Sequence, residues 1–334
     1  MSANGADLVV VHLYPRLLRT YGDRGNVLTL ARRAEWRGFR VRLVDVEVGE
    51  PLPPDAGLVV LGGGTDRVQE IIGADLASRR AELGDAAARG AVILGICGGY
   101  QFLGRRYVTL EGRSIEGLGL LDVETVARAR RIIGRVNKAH AALWGREFDL
   151  VGFENHGGRT SLGPQATPLA RVPRGGGNDG RDGTEGAVQG TILGTYLHGP
   201  VVPVNPAFAD AVLERALAPA TGGAPLAPLE DGAERRAHDE ALRRPPESAP
   251  RRRRLLAVAA VLALLLALAG RAAATEIDED GALGTRVAVC ATNPTEVLLH
   301  RTVRTVHDRT VHHGGYVGWS IRSSASAASH CSSI

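Results

Sequence analysis

Short apolar runs alternate with longer amphipathic segments over roughly the first two thirds of the chain. Three of these runs are almost wholly apolar: Leu8–Leu13, Gly57–Leu61 and Ala91–Leu94. Runs of this length and composition predict strands that are buried on both faces. The segments between them have helical periodicity, as from about residue 75 to residue 89. Buried strands that alternate with helices predict an α/β fold with a mostly parallel sheet flanked by helices.

The pattern changes in the middle of this region and then returns. Residues 40–46 alternate apolar and polar positions, which is typical of a strand near the edge of a sheet. Three further segments predict strands of an antiparallel insertion: residues 117–126, residues 132–137 and the stretch around residues 151–153. Residues 187–189 and 191–197 return to the main sheet, and residues 206–217 predict a closing helix.

Composition divides the chain near residue 218. We predict a domain over residues 1–218, a linker over 219–250 with a charged helix near 230–244, an apolar helix over 251–274, and a largely unstructured tail over 275–334. Four arginines precede fifteen apolar residues at 255–269, whereas a membrane span needs about 20. A membrane tether, a fusion product and a soluble helix all remain open.

Charge and cysteine content exclude several classes of protein. A net charge of +4 over 334 residues gives no indication of nucleic-acid binding. Cys97, Cys290 and Cys331 form no disulfide framework, and the chain begins with no signal-peptide pattern. We therefore expect a cytoplasmic protein, with contact to the inner membrane face if the apolar segment is a tether. No metal site is predicted.

The segment Gly95–Gly99 places a cysteine between a buried strand and a helix, with glycines on both sides. Such a corner projects its central side chain at the carboxyl ends of the strands, where open α/β folds keep their sites. Glycines are needed because the turn is tight. Cys97 is therefore the candidate nucleophile, in the position that serine occupies in a nucleophile elbow. A buried, inert cysteine is the alternative.

A nucleophilic thiol needs a base and an oxyanion site. His198 follows a buried strand at its carboxyl end and is our candidate base. The other histidines of the domain that could serve are His12, His140 and His156, of which His12 lies inside an apolar strand and is typical of the core. The backbone N–H groups of Gly98 and of Gly64, or its neighbour Gly63, are the candidate oxyanion donors.

Taken together, these motifs resemble the class I glutamine amidotransferases of the cobyric acid synthase type. The residues that carry the resemblance are the Gly62–Gly64 loop, the Gly95–Gln101 elbow and the segment Tyr196–Pro200. Tyr21–Asn26 and Gly152–Thr160 make the chain similar to the glutaminase subunits of lipid II isoglutaminyl synthase, the GatD group. The resemblance covers about residues 7–218 and implies a flavodoxin-like, three-layer fold.

The resemblance also implies roles for individual residues. Cys97 would attack the glutamine carboxamide, and His198 would assist proton transfer to the leaving ammonia. Arg131 best matches a substrate-binding arginine, with Arg128 and Arg130 as close alternatives. Many relatives place a glutamate two residues after the histidine, where this chain has Pro200. The group that orients the imidazole stays open, with Asp23 and Glu154 as candidates.

The fate of the ammonia is expected to involve a second protein. Amidation of a carboxylate requires ATP, and Lys138 is the single lysine of the chain and lies in no P-loop pattern. We therefore expect no cofactor in this chain and an ATP-using partner. The resemblance implies a Mur-ligase-like MurT subunit that amidates the D-glutamate of lipid II. The alternatives are an amidotransferase of cobalamin biosynthesis, a non-catalytic binding module and another cysteine hydrolase.

Overall fold

The computed structural model describes residues 6–18, 22–64, 66–173 and 176–244. In chain order its elements are β1 (Leu8–Leu13), α1 (Arg24–Glu35), β2 (Val41–Val46), β3 (Leu58–Leu61), α2 (Asp66–Ser78), α3 (Arg80–Ala88), β4 (Val92–Ile96), α4 (Gly98–Leu103), β5 (Arg106–Val108), β6 (Ser114–Glu116), β7 (Val123–Leu143), β8 (Arg146–Leu162), β9 (Ala170–Arg171), β10 (Thr184–Glu185), β11 (Ala187–Gln189), β12 (Ile192–Thr195), α5 (Pro206–Thr221) and α6 (Gly232–Arg243).

The main sheet has six strands in the order β11-β12-β4-β3-β1-β2. Its last five strands are mutually parallel, and β11 pairs antiparallel with β12 at one edge. The predicted α/β class with a mostly parallel sheet is confirmed, as is the edge position of β2. In this order β4 lies between β3 and β12, so three loops at the carboxyl ends of neighbouring strands meet.

Apolar side chains cover both faces of this sheet. In β1, Val10 packs into one hydrophobic cluster with α1 and α5, while Val9 and Val11 pack into the other with α2 and α3. Successive side chains of a strand point to opposite faces, so a strand buried on both sides needs a continuous apolar run. This is why the sequence of β1 has no polar alternation.

A second six-stranded sheet contains the predicted antiparallel insertion and is larger than expected. Its order is β10-β9-β7-β5-β6, with β8 paired to β7. β7 runs continuously for 21 residues rather than as two separate strands. Its register with β8 shifts between Ala127 and Ile132, which oppose Gly158 and His156. Residues 128–131 therefore form a bulge in the long β7–β8 hairpin.

The segment after residue 218, predicted as a linker, packs against the main domain over its described part. Helix α6 falls within the predicted charged stretch, and Asp231 precedes it. Asp231 pairs with the buried Arg33 of α1 at 2.6 Å, and Arg33 also pairs with Asp210 of α5 at 2.7 Å. The domain boundary at residue 218 remains a prediction.

The predicted apolar helix at 251–274 and the tail at 275–334 lie outside the described residues. Among the helices that the structure does describe, none combines the length and hydropathy needed to cross a membrane.

Candidate active site

Cys97 lies at the sharp corner between β4 and α4. Its backbone has φ 51° and ψ −101°, a strained conformation for a residue with a Cβ. Close packing of α4 against β3 forms the corner, since the Gly99 N–H donates to Gly62 O at 3.1 Å. A methyl group on Gly99 would lie 2.4 Å from Leu61 O. The predicted elbow is therefore present, and glycine at position 99 is a steric requirement.

His198 lies three residues beyond the end of β12, the strand that pairs with the cysteine strand β4. Its backbone pairs with Phe153 of β8, with N–O distances of 2.9 and 3.1 Å. Its ring is buried and stacks on the Phe153 ring at a centroid distance of 5.4 Å. The main sheet sets the position of this imidazole, and the second sheet restricts its orientation.

Cys97, His198 and Asp23 converge around Gly63, which lies in the loop that follows β3. A methyl group in place of the Gly63 hydrogen would lie 3.3 Å from Asp23 Oδ2, 3.4 Å from His198 Cε1 and 3.5 Å from Cys97 Cβ. The structure thus brings together the thiol and the imidazole that the sequence pattern had placed 101 positions apart.

A small cleft of about 160 Å³ opens over the thiol. Arg131 and Arg128 of the β7 bulge line it, together with Gly64 and Gln101. Arg131 is held by Asn155, whose side-chain oxygen accepts from Nε at 2.9 Å and whose backbone oxygen accepts from a terminal nitrogen at 2.6 Å. Arg130 instead lines a larger, adjoining cleft. Of the three candidate arginines, Arg131 and Arg128 therefore line the thiol cleft.

The candidate oxyanion donors lie on both sides of the thiol. Gly98 follows Cys97 at the start of α4, and Gly64 lines the cleft. The neighbouring N–H of Gly63 donates to Asp23 Oδ2 at 2.5 Å. Because that N–H is already engaged, the geometry favours Gly64 over Gly63 for this role.

Burial dominates the electrostatics of the pair. It raises the pKa of Cys97 to about 12, with a further increase from the charge of Asp23, while Arg131 and the Gly98 N–H act in the opposite direction. Burial, assisted by the Arg131 charge, lowers the pKa of His198 to about 4. At neutral pH the pair is therefore a protonated thiol and a neutral imidazole, and the imidazole is free of a proton at one nitrogen and can act as a base.

The two carboxylates considered for orienting the imidazole make their hydrogen bonds elsewhere. Asp23 accepts from Gly63 N–H and from the Asn26 side chain at 3.4 Å. Glu154 accepts from the backbone N–H groups of Gly176 and Gly177. Burial raises the pKa of Asp23 to about 7, against the opposing effect of the Gly63 hydrogen bond. Both carboxylates position loops around the site.

His156, which its sequence position made only an alternative candidate base, lies in the wall of the thiol cleft. Its ring stacks on Tyr196 at 3.7 Å, and its Nδ1 lies 2.9 Å from Gly158 O. Burial lowers its pKa to about 3, so the ring is neutral, with its proton on Nδ1 and an acceptor lone pair on Nε2. Within the described residues Nε2 has no hydrogen-bond partner. Only the long-range β7–β8 pairing reveals this placement.

The other two candidate histidines, His140 and His12, are not among the residues that line the thiol cleft. His140 is exposed on the β7–β8 hairpin, with Nδ1 3.4 Å from Asp149. His12 is buried in β1 as expected, but its Nε2 has no partner among the described residues. In the same part of the chain, no cluster of three or more His, Cys, Asp or Glu side chains could hold a metal ion.

Several known proteins are similar in sequence to this chain. Subunit GatD of the glutamine-hydrolysing lipid II isoglutaminyl synthase from Staphylococcus aureus strain N315 is 38% identical over 211 residues, which are 63% of this chain and 84% of that protein. The corresponding GatD of Streptococcus pneumoniae strain R6 is 36% identical over 63% of this chain and 80% of that protein. Cobyric acid synthase of Brucella abortus strain S19 is 40% identical over 48% of this chain but only 32% of that protein.

Among solved structures, PurLQS from Thermotoga maritima superposes with a TM-score of 0.44 at 17% identity, over 63% of this chain and 95% of that chain. The family model of the CobB/CobQ-like glutamine amidotransferase domain matches residues 9–206. The chain therefore belongs to the CobB/CobQ-like glutamine amidotransferase family.

Proposed function

We propose that this protein is the glutaminase subunit of a lipid II isoglutaminyl synthase. The observation that carries the proposal is the convergence of Cys97 and His198 around Gly63, beneath a cleft lined by Arg131. The GatD relatives support the same activity, because the chain covers at least four fifths of each of them.

Glutamine binding uses charges that the cleft already presents. The Arg131 guanidinium, held by Asn155, pairs with the α-carboxylate of glutamine. His156 Nε2 offers a buried acceptor to the α-ammonium group or the carboxamide N–H. The first contact pairs opposite charges and the second is a hydrogen bond to a neutral ring, and together they direct the carboxamide at Cys97.

The reaction starts from a neutral pair. As the Cys97 sulfur attacks the carboxamide carbon, His198 accepts the thiol proton, so that no free thiolate has to accumulate in the buried site. The N–H groups of Gly98 and Gly64 stabilise the oxyanion of the tetrahedral intermediate. His198 then returns the proton to the departing ammonia, which leaves a γ-glutamyl thioester. Water hydrolyses this thioester to glutamate and restores the thiol.

The ammonia is used by a partner subunit. We propose a Mur-ligase-like partner, MurT, which activates the D-glutamate α-carboxylate of lipid II with ATP and amidates it to D-isoglutamine. ATP is then the partner's substrate, and this chain itself uses no cofactor. A cytoplasmic location suits this chemistry, since a reducing compartment keeps the thiol free.

Two variants and a matched control test the glutaminase. Cys97→Ala should abolish release of ammonia from glutamine, and His198→Gln should lower the rate by about 10²- to 10⁴-fold, the usual contribution of a general base. His140→Gln replaces an exposed histidine outside the cleft and should leave the rate unchanged. Ammonia release is measured on the full chain with and without the ATP-dependent partner.

The acceptor is tested separately. Glutamine-dependent amidation of lipid II should require both proteins and the Cys97 thiol. The cobyric acid synthase relative supplies the alternative of a corrinoid acceptor. Amidation of a corrinoid carboxylate but not of lipid II would replace the proposed acceptor, and persistence of glutaminase activity in Cys97→Ala would contradict the mechanism.

A further inference from the structure

A second cleft of about 740 Å³ adjoins the thiol cleft and is strongly cationic. Its charged lining consists of five arginines and one aspartate: Arg128, Arg130, Arg131, Arg159, Arg181 and Asp179. Recognition of the glutamine α-carboxylate needs one guanidinium. The other arginines have no function in the proposed glutaminase reaction.

The protein neutralises the positive charge of this cleft only in part, since one aspartate faces five arginines. Within the described residues, none of the five guanidinium groups forms an ion pair with a carboxylate. Asp179 directs its side chain at the backbone N–H groups of Arg181 and Asp182, at 2.7 and 3.0 Å. The pKa of Arg159 is lowered, first by burial and also by the like charges of Arg128 and Arg130, while Tyr196 and Asp179 act in the opposite direction. The arginines therefore repel one another without a ligand.

The cleft is nevertheless assembled by defined structure. The bulge at residues 128–131 projects three of the arginines from β7, and bulges commonly redirect side chains beside functional sites. Arg159 of β8 is fixed by the carbonyl oxygens of Gly157, Gly158 and Arg130, at 3.1, 3.0 and 2.6 Å. Holding repelling cations together costs free energy, which an anionic ligand would offset.

We propose that this cleft binds a phosphate-type polyanion, such as a pyrophosphate group. Guanidinium groups match phosphate oxygens bidentately, and several of them favour a ligand with more than one negative charge. The cleft is concave and its volume lies within the usual range of small-molecule sites, roughly 300–1,000 Å³. These features favour a small anionic ligand over an acidic protein surface. The binding site itself does not depend on the proposed glutaminase activity.

The two clefts share Arg128 and Arg131. A polyanion bound beside them reduces the positive potential at the thiol. Since the Arg131 charge favours the thiolate of Cys97, bound polyanion should slow the reaction of Cys97 with iodoacetamide. This readout needs no glutamine and no partner, so its failure is distinguishable from failure of the glutaminase proposal.

Calorimetric titration of the full chain with inorganic pyrophosphate tests the site directly. We expect saturable binding that weakens with added salt, and weaker binding of inorganic phosphate. Arg130→Gln and Arg181→Gln should each weaken pyrophosphate binding about tenfold, the typical contribution of one charge-assisted contact. Arg16→Gln, at an exposed arginine that pairs with Glu47 elsewhere on the surface, should have no effect. Circular dichroism of each variant establishes that it is folded.

Three outcomes would overturn the proposal. The first is absence of saturable pyrophosphate binding to the folded wild type. The second is equal affinity in the wild type and in the Arg130→Gln/Arg181→Gln double variant. The third is tighter binding of a decaglutamate peptide than of pyrophosphate, with the same dependence on Arg130 and Arg181, because that would identify the cleft as a docking surface for an acidic protein.

Discussion

At the scale of one residue, the site depends on Gly63 because glycine has no side chain. The space that a Cβ would occupy is bounded by Asp23, His198 and Cys97, which come from three distant parts of the chain. The Gly63 N–H is bound by Asp23 rather than left for substrate. Asp23 thus holds the β3 loop, and its charge also acts on the thiol.

Removing that charge should make the thiol more acidic. Asp23→Asn keeps an oxygen that can accept from Gly63 N–H but removes the negative charge that raises the pKa of Cys97. We expect faster alkylation of Cys97 by iodoacetamide above pH 7. Because the pKa of Asp23 is about 7, the wild-type carboxyl is mostly neutral near pH 6, and there the two rates should converge.

Asp85→Asn is the control, because Asp85 is exposed on α3 and makes no contact with the site. Equal alkylation rates of wild type and Asp23→Asn at pH 8 would show that Asp23 acts on Cys97 only through loop geometry.

A site residue could be predicted from the sequence where the residues next to it along the chain form a recognisable pattern. Cys97 was identifiable because glycines surround it within five residues, and His198 because it follows a buried strand. His156 and Asp23 were not assigned their places, because these depend on the register of β8 against β7 and on the contact of the Asp23 turn with β3. Neither contact produces a recognisable pattern in the sequence around His156 or Asp23.

At the scale of elements, the glycines of α4 and α2 differ in the space that is available for a side chain. A methyl group on Gly99 of α4 would lie 2.4 Å from the backbone oxygen of Leu61, whereas one on Gly73 of α2 meets no described atom within 4 Å. Gly99→Ala should therefore displace α4 and lower the free energy of unfolding by about 3 kcal/mol, in the range of strained backbone and overpacking.

Gly73→Ala should stabilise the protein by about 0.5–1 kcal/mol, since alanine restricts the unfolded chain and favours a helix. Urea denaturation of both variants measures the difference. Similar stability of Gly99→Ala and wild type would mean that the close contact between α4 and β3 is not required.

The central strands of the main sheet followed directly from apolar runs, because strands buried on both faces have a distinctive composition. The length of β7 in the second sheet could not be predicted, because its apolar and polar positions follow no regular pattern. The bulge at residues 128–131 inserts extra residues into β7, which interrupts the alternation of apolar and polar positions. A continuous 21-residue strand thus has the sequence pattern of two short ones.

At the scale of the whole molecule, Arg33 joins three separate parts of the chain. It lies in α1, is almost fully buried, and pairs with Asp210 of α5 and with Asp231 before α6. A buried cation that loses a partner is costly, because its desolvation is no longer compensated. The segment predicted as a linker therefore contributes to the stability of the domain.

Asp231→Asn should lower the free energy of unfolding by about 2 kcal/mol at pH 7, since Arg33 keeps Asp210 but loses one charged partner. The Arg33 hydrogen bonds lower the pKa of Asp231. Its contribution is therefore complete above the unfolded pKa of 3.8 and is lost as the pH falls through the lower folded value. The stability difference between wild type and variant should shrink below pH 4.

Asp239→Asn, on the exposed face of α6, is the control and should match the wild type throughout. A stability difference for Asp231→Asn that is independent of pH would contradict the linkage. Thermal unfolding of the full chain between pH 3 and pH 7 provides the measurement.

The raised pKa of Cys97 has a consequence for the protein between turnovers. Peroxide and other cellular oxidants attack the ionised form of sulfur, and a group with a pKa near 12 is almost entirely protonated at neutral pH. The Cys97 sulfur therefore acts as a nucleophile only when a substrate carbonyl and the imidazole are both in place. The burial that makes proton transfer to His198 necessary thus also protects the Cys97 thiol from oxidation between turnovers.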